Sequence, residues 1–257
     1  MSSKKPQNNP GPAGNRREQL QRQREQQAKE RRVRNIITFS ILGVAVLAIV
    51  GVIVAVVLSS RNTPVAQGGG AVTGNYSVVV GKEDAPVTLT IYQDFMCPYC
   101  GMFERANRAD LESLVDTGTA KIEFHVVNWQ DVHSQGTRFS TRSGDAFVAV
   151  AKAQPDKVMA FNAALFDKQP DEGTPGLSDA EIAQLARDAG VSNDVIATFA
   201  RLANESFINN ASTAAVNAGV TGTPTILING TKFSGNILEA GELKAAVEQA
   251  AQDATQK

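Results

Sequence analysis

The sequence of 257 residues predicts an α/β fold in which a βαβ unit and a ββα unit are separated by a block of helices. Two short apolar segments, at 86–92 and 121–128, flank a segment with helical periodicity. Alanine-rich segments with the same periodicity cover much of 143–218. Strand-like residues return at 225–234, and an amphipathic helix follows at 238–252.

The βαβ unit contains the first two predicted strands. Residues 86–92 are apolar and β-branched, which is typical of a strand that is buried on both faces of a sheet. A helix that begins at Pro98 and ends near Gly118 leads to the second strand at 121–128. A strand, a helix and a strand at this spacing indicate a right-handed crossover between parallel strands.

The helical block and the ββα unit contain turn and cap signals. Ser178 and Glu181 form a capping-box pattern at the start of a helix. Asn229 and Gly230 predict a hairpin turn after a strand at 225–228. The predicted helices of the block cover 143–153, 156–166, 178–190, 194–204 and a segment that ends at 218.

A charge asymmetry and an apolar run predict a membrane anchor. Residues 1–35 carry ten basic and three acidic side chains, whereas residues 36–58 carry no charge. A helix of these 23 residues is about 35 Å long, enough to cross a hydrocarbon layer of roughly 30 Å. Arg31, Arg32 and Arg34 precede the run, so the positive-inside rule places the tail in the cytoplasm and the following domain outside.

The predicted regions are a disordered basic tail at 1–35, a transmembrane helix at 36–58, a linker at 59–76 and a folded domain at 77–255 with a helical insertion at about 138–210. A cleaved signal peptide is the alternative to a signal-anchor, but its apolar region usually spans only about 7–15 residues. Either outcome leaves the domain outside the cytoplasm. The simplest interpretation of the basic tail is a solvent-exposed segment that sets the membrane orientation, rather than a binding site for anionic lipid or nucleic acid. We therefore predict no nucleic-acid partner.

Cys97 and Cys100 are the only cysteines of the chain. A disulfide between them closes a very short loop and therefore stabilises the fold little. The spacing favours thiol–disulfide exchange, in which one thiolate attacks and the other resolves. A structural zinc site needs four ligands, usually cysteine and histidine. Besides the two cysteines, the chain has only two histidines, His125 and His133. We predict no metal and no cofactor, with His125 packed in the core and His133 exposed.

The position of Cys97 predicts its role. At the start of a helix it meets unpaired backbone N–H groups and the positive end of the helix dipole, which stabilise a thiolate. Pro98 suits the first helical position, where its missing N–H has no consequence. Cys97 is therefore the predicted nucleophile, and Cys100, one turn further on, is the more enclosed resolving thiol. Pro224 heads a strand, a position that leaves both isomers of the Thr223–Pro224 bond open.

The residues around both positions resemble the thioredoxin superfamily, and within it the DsbA-like branch. Residues 94–100 (Asp-Phe-Met-Cys-Pro-Tyr-Cys) match the DFxCPxC motif of that branch. Residues 222–225 (Gly-Thr-Pro-Thr) and 228–230 (Ile-Asn-Gly) match its cis-proline strand and turn. The helical insertion matches as well, so that the resemblance extends from residue 77 to about 252. It implies a thioredoxin fold with an inserted helical subdomain, preceded here by one transmembrane helix.

The resemblance also implies roles for six residues. Cys97 and Cys100 form the redox-active disulfide, with four supporting residues, namely Pro98, Tyr99, Thr223 and Pro224. Pro224 is the expected cis-proline that packs against the disulfide, and Thr223 is expected to offer backbone groups to a substrate chain.

The sequence departs from the wider superfamily at Ile91. Six residues before the nucleophile, many thioredoxin-like proteins carry a carboxylate that assists proton transfer. Asp94 lies closer to the cysteines, but a helix cap explains it as well as a base does, so it is not included in the predicted catalytic set.

These observations predict a membrane-tethered, extracytoplasmic thiol:disulfide oxidoreductase. We expect it to oxidise secreted or cell-envelope proteins through a mixed disulfide at Cys97 and to be reoxidised by a membrane redox partner. Pro98 and Tyr99 resemble the dipeptide of oxidising rather than reducing members. A reductase or isomerase that uses the same cysteines is one alternative, and a non-enzymatic redox sensor or binding module with a thioredoxin fold is another.

Overall fold

A computed structural model describes residues 71–256, and the predicted basic tail and membrane span lie outside them. Among the helices of the part described, none is long and apolar enough to cross a membrane.

The strands are β1 (Ala71–Val72), β2 (Val78–Val80), β3 (Val87–Gln93), β4 (Ala120–Val126), β5 (Thr225–Ile228) and β6 (Thr231–Lys232). The helices are α1 (Pro98–Asp116), α2 (Phe139–Ala153), α3 (Val158–Asp167), α4 (Asp179–Asp188), α5 (Asn193–Ile196), α6 (Glu205–Asn217) and α7 (Glu242–Thr255).

The six strands form one mixed sheet in the order β1-β2-β4-β3-β5-β6. β3 pairs in parallel with β4 and antiparallel with β5, so the βαβ unit and the ββα unit meet at this central strand. Helices α2 to α6 all lie between β4 and β5 in the chain. The expected mixed α/β, thioredoxin-like architecture is confirmed.

The register of β5 brings the second predicted motif beside the first. Tyr92, at the end of β3, lies opposite Thr225, the first residue of β5. Pro224 directly precedes Thr225, and the cysteine motif begins two residues after Tyr92. The sheet therefore places the proline loop and the cysteine loop at the same edge.

A large apolar core packs against the sheet. It includes the interior of β3 (Leu89 and Ile91) and the inner side of α1, which buries Phe103, Leu111 and Leu114. A smaller cluster lies between the sheet and α6 and consists of Tyr92, Val127, Ala215 and Val220. The cysteine loop connects the central strand to α1, so buried residues hold it on both sides.

Two predicted segments differ from those in the structure. Ala71 and Val72, in the predicted linker, form β1, because a hydrogen-bonded turn over 73–77 folds them back onto β2. The helix predicted at 194–204 is wrong in extent: α5 ends at Ile196, and after a short 3₁₀ helix Leu202 adopts a left-handed backbone (φ 47°). A left-handed residue cannot continue an α-helix, so α6 starts afresh at Glu205.

Two other helices begin at positive-φ residues rather than at the predicted positions. Arg138 (φ 59°) precedes α2, which therefore starts four residues before the predicted residue 143. Gly241 (φ 87°) precedes α7, which starts four residues after the predicted residue 238. In both cases the preceding turn, rather than the helical periodicity, determines where the helix starts.

The predicted capping box at α4 is confirmed, and it gives a testable stability difference. Ser178 Oγ accepts from Glu181 N at 3.3 Å, and Ser178 N donates to Glu181 Oε2 at 2.7 Å. Ser178→Ala should lower the free energy of unfolding by about 1 kcal/mol in urea denaturation, because it leaves a helix N–H without its acceptor. Ser192 caps α5 without a side-chain bond, so Ser192→Ala should have a smaller effect. Equal losses would contradict the cap.

Candidate active site

The cysteine loop follows the carboxyl end of β3 and leads directly into α1. Cys97 N donates to Asp94 O at 3.1 Å, and Cys97 itself, in an extended conformation, is the N-cap of the helix. Its carbonyl oxygen accepts from Cys100 N at 3.0 Å and from Gly101 N at 3.3 Å. Pro98 occupies the first helical position, as expected. The sulfur of Cys97 thus lies at the N-terminus of a long helix, where a negative charge is favoured.

The surroundings of Cys97 favour its thiolate. The pKa of Cys97 is lowered to about 6, chiefly because the Cys100 thiol donates a hydrogen bond to its sulfur. Thr223 and the backbone N–H groups of Cys100 and Tyr99 lower it further, whereas burial opposes them. A cysteine with this pKa is largely ionised at neutral pH and is a good attacking and leaving group.

Cys100 has the opposite character. It is only 1% exposed, and burial raises its pKa well above the ordinary value. The hydrogen bond that the Cys100 thiol donates to Cys97 and the negative charge on the Cys97 sulfur raise the pKa of Cys100 further. Both thiols are free, and the two differ sharply in acidity. The asymmetry matches the predicted division into an attacking thiol and a resolving thiol.

The proline loop lies directly against Cys97. The Thr223–Pro224 peptide bond is cis, as the resemblance implied. In its protonated form, the Cys97 thiol donates to the carbonyl oxygen of Thr223 across 3.3 Å. Thr225 Oγ1 donates to Gly222 O at 2.7 Å and closes the loop on itself. Thr223 and Pro224 are only partly buried, so this carbonyl borders both the sulfur and the solvent.

Tyr99 is an exposed residue of the motif. Its side chain is 61% exposed and points away from the core, and Met102, three residues further along α1, is 45% exposed. The contribution of Tyr99 to the thiolate comes from its backbone N–H. Both exposed side chains belong to the start of α1, the helix that Cys97 caps.

Asp94 is neither a helix cap nor a surface residue. Its carboxyl group is fully buried, and Oδ1 accepts from Met96 N at 2.9 Å and from Ser140 Oγ at 2.6 Å. Oδ2 accepts from Gln130 N at 2.9 Å. Burial raises the pKa of Asp94 to about 7 against these hydrogen bonds, and the negative charge of Cys97 raises it further. Asp94 therefore ties the cysteine loop to the helical block and interacts electrostatically with Cys97.

Gln169 also contacts the loop, and the sequence analysis missed it. It lies just after α3, and its Nε2 donates to Phe95 O at 3.1 Å and to Cys97 O at 2.8 Å. No motif marks this position, because a single glutamine between a helix and a proline carries no pattern. Ser140 and Gln130, the partners of Asp94, are equally unmarked in the sequence.

The two histidines lie as expected. His125 is 6% exposed and stacks on Tyr92, with ring centroids 4.6 Å apart. Burial lowers the pKa of His125 to about 4, so the ring is neutral at physiological pH. His133 is exposed. Within residues 71–256, no group of three or more histidine, cysteine or acidic side chains is arranged to hold a metal ion.

Comparison with known proteins agrees with this geometry. A sequence model of the family described as thioredoxin matches residues 73–249, well over half of the chain. The chain belongs to this thioredoxin family. The match includes both cysteines and the cis-proline loop.

Similar proteins occur in Bacillus subtilis and Mycobacterium tuberculosis. Disulfide bond formation protein D of Bacillus subtilis is 29% identical over 203 residues, which are 73% of this chain and 85% of the relative. The serine/threonine-protein kinase PknE of Mycobacterium tuberculosis is 34% identical over 151 residues, which are 57% of this chain. The match spans only 26% of the length of that kinase.

Among solved structures, reduced DsbA from Mycobacterium tuberculosis is similar, with a TM-score of 0.55 and 27% identity. The match covers 69% of this chain and 98% of that DsbA chain. Together with disulfide bond formation protein D, this structure supports the DsbA-like assignment within the thioredoxin family.

Proposed function

We propose that this protein is a thiol:disulfide oxidoreductase of the DsbA type that donates disulfides to secreted or cell-envelope proteins. The contrast between the acidic Cys97 and the slightly more deeply buried, weakly acidic Cys100 is the observation that carries the proposal. Its DsbA-like relatives support the same class of reaction.

The proposed reaction starts from a Cys97–Cys100 disulfide. A substrate thiolate attacks the sulfur of Cys97, a substrate–Cys97 disulfide forms, and Cys100 leaves with the electron pair and takes up a proton. A second substrate thiolate then attacks the substrate sulfur of the mixed disulfide, and Cys97 leaves as a thiolate. The substrate is oxidised by two electrons, and the protein is reduced to its dithiol.

The acidity of Cys97 favours this direction. A lower thiol pKa makes a better leaving group and stabilises the reduced protein relative to its disulfide. Each unit by which a pKa falls corresponds to about 1.4 kcal/mol, and for this two-electron couple about 1.4 kcal/mol corresponds to 30 mV. The lowered pKa of Cys97 therefore raises the reduction potential and makes the disulfide a stronger oxidant.

Thr223 and Pro224 supply the proposed docking point for the substrate backbone. The Thr223 carbonyl oxygen lies 3.3 Å from the reactive sulfur, so a substrate cysteine that reaches Cys97 also passes this carbonyl. Pro98 and Tyr99 directly follow Cys97 and are both exposed, and the ring of Tyr99 offers apolar contact. Such contacts orient a chain without selecting one sequence.

The proposal includes a place in the cell. The uncharged residues 36–58 and the preceding arginines support a single-pass anchor with the thioredoxin domain outside the cytoplasm. Disulfides persist in that compartment, and a membrane redox partner would return the Cys97–Cys100 pair to its oxidised state.

Replacing the resolving thiol tests this function. Cys100→Ser should accumulate disulfide-linked adducts with envelope proteins that disappear on reduction, because the acidic Cys97 can still form mixed disulfides that Cys100 no longer resolves. Non-reducing electrophoresis of cell extracts measures them. Cys97→Ser should form none and is the matched control, since it keeps the other thiol.

Two outcomes would contradict the proposal. If Cys100→Ser formed no adducts, the protein would be a sensor or a binding module rather than an enzyme. If the wild-type pair were reduced in cells and equilibrated with glutathione near the thioredoxin potential, about −270 mV, the protein would act as a reductase instead.

A further inference from the structure

We propose that Gln169 is a positioning residue that fixes the conformation of Cys97, and that Gly101 is required to give it room. The inference rests on the proposed function, because it assigns Gln169 an effect on the reactive thiol. It concerns a side chain that belongs to the helical block rather than to the cysteine motif.

The contacts of Gln169 hold the cysteine loop on both sides of Met96. The side-chain amide carries two N–H bonds, and each finds a carbonyl: Phe95 O at 3.1 Å and Cys97 O at 2.8 Å. Both acceptors are backbone groups of the loop, so the contacts do not depend on loop side chains. A single side chain thus fixes two of the peptide planes that lead into α1.

Gly101 explains how Gln169 comes so close. A Cβ atom on Gly101 would lie 2.0 Å from Gln169 Oε1 and 2.9 Å from its Cδ. Glycine in a helix interior is otherwise unfavourable, and Gly101 lies in the first turn of α1 with an ordinary helical backbone. Its lack of a side chain is therefore explained by the Gln169 amide that occupies the space.

The link to chemistry runs through the Cys97 carbonyl. The oxygen that accepts from Gln169 also accepts from Cys100 N and Gly101 N, so Gln169 fixes the peptide plane at the start of the helix. The orientation of this plane determines how the N–H groups of Tyr99 and Cys100 face the sulfur, and these groups favour the thiolate. Without Gln169, the first turn loosens and the thiolate loses part of its stabilisation.

Gln169→Met tests the inference in the full-length protein, solubilised in detergent, because methionine keeps the length of the side chain and removes both N–H donors. We expect the pKa of Cys97 to rise from about 6 toward its ordinary value. The measurement is the pH profile of alkylation of the reduced protein by iodoacetamide. If the pKa rises by about one, the thiolate fraction at pH 6 falls about fivefold, and the greater nucleophilicity of the more basic thiolate offsets part of that loss. The alkylation rate at pH 6 should therefore fall about two- to fivefold.

Gln184→Met is the matched control. Gln184 is an exposed glutamine of α4 whose hydrogen bonds run to Asp188 and Arg187 of the same helix. This variant should leave the alkylation profile unchanged. If Gln169→Met lowered the melting temperature but left the profile at its wild-type position, Gln169 would be a structural residue only, and the inference would be wrong.

Gly101→Ala provides the second test. The new methyl group should expel the Gln169 amide and shift the alkylation profile as Gln169→Met does. Because both changes break the same contact, the double variant should shift the profile no further than either single variant. Additive shifts would overturn the coupling. These readouts report the thiol itself, so they remain valid if wild-type protein fails to oxidise a substrate, which would refute only the proposed function.

Discussion

Replacing Asp94 by asparagine should remove a contribution of up to about 4 kcal/mol from the pH dependence of the free energy of unfolding. The carboxyl group is fully buried in the native protein and exposed to water in the unfolded chain. Its pKa is about 7 in the folded state, against 3.8 as the ordinary value. Asparagine does not titrate, so the difference in proton binding disappears.

The sign follows from which state holds the proton. Above about pH 7 Asp94 is ionised in both states, and the folded protein bears the unfavourable burial of the charge. Between pH 7 and about 4 the folded state is protonated and the unfolded state is not, so stability due to Asp94 rises as the pH falls. Urea denaturation of the disulfide form between pH 4 and 8, in which Cys97 does not titrate, measures this as a difference between wild type and Asp94→Asn.

The same substitution should affect the thiol. Charge at Cys97 raises the pKa of Asp94, and by reciprocity an ionised Asp94 disfavours the Cys97 thiolate. Asp94→Asn should therefore lower the pKa of Cys97 below about 6 and make the reduction potential less negative. Equilibration with glutathione measures the potential, and Asp84→Asn, at an exposed position on the loop before β3, is the control. A more negative potential in Asp94→Asn would contradict the coupling.

The sequence was sufficient for the parts of this site that depend on local chemistry. The β3–α1–β4 unit could be predicted because its apolar strands and Pro98 are local signals, and α1 ends at Asp116, two residues before the predicted Gly118. The cysteine spacing likewise pointed to exchange chemistry. The cis isomer at Pro224, by contrast, could not be derived from its position in the chain and followed only from the family resemblance.

The remaining parts of the site depend on contacts over long sequence separations. Ser140 lies 46 residues from Asp94, and Gln169 lies 72 residues from Cys97, so only the packing of the helical block brings them to the loop. Isolated polar residues of this kind have no periodicity and no fixed spacing. The left-handed Leu202 shows the same limit for the backbone, since leucine gives no turn signal of the kind that glycine provides.

His125→Phe should change the pH dependence of the free energy of unfolding by an amount similar to that of Asp94→Asn, but with the opposite sign. His125 lies opposite Tyr92 in the β3–β4 register, and the two rings stack. Its Nδ1 is buried and has no hydrogen-bond partner. Phenylalanine keeps an aromatic ring on Tyr92 and removes the unpaired nitrogen, so the variant should be at least as stable as wild type at pH 7.

The larger difference appears in acid. The pKa of His125 is about 4 in the folded state, below its ordinary value of 6.5, because the neutral ring is buried. Above pH 6.5 both states are neutral and the histidine contributes no pH dependence. As the pH falls from 6.5 to 4, only the unfolded chain takes up the proton, and His125 should destabilise the protein by up to about 3 kcal/mol.

Asp94 and His125 therefore act against each other over the same pH range. Acid stabilises the fold through the buried carboxyl group and destabilises it through the buried imidazole. Between pH 4 and 6.5, His125→Phe should become more stable with falling pH, Asp94→Asn less stable, and the double variant should lack both contributions. Urea denaturation at several pH values tests all three, with the exposed His133→Phe as the matched control. If His125→Phe followed the wild-type profile, the buried ring would be protonated as easily in the native protein as in the unfolded chain, and its burial would have no electrostatic consequence.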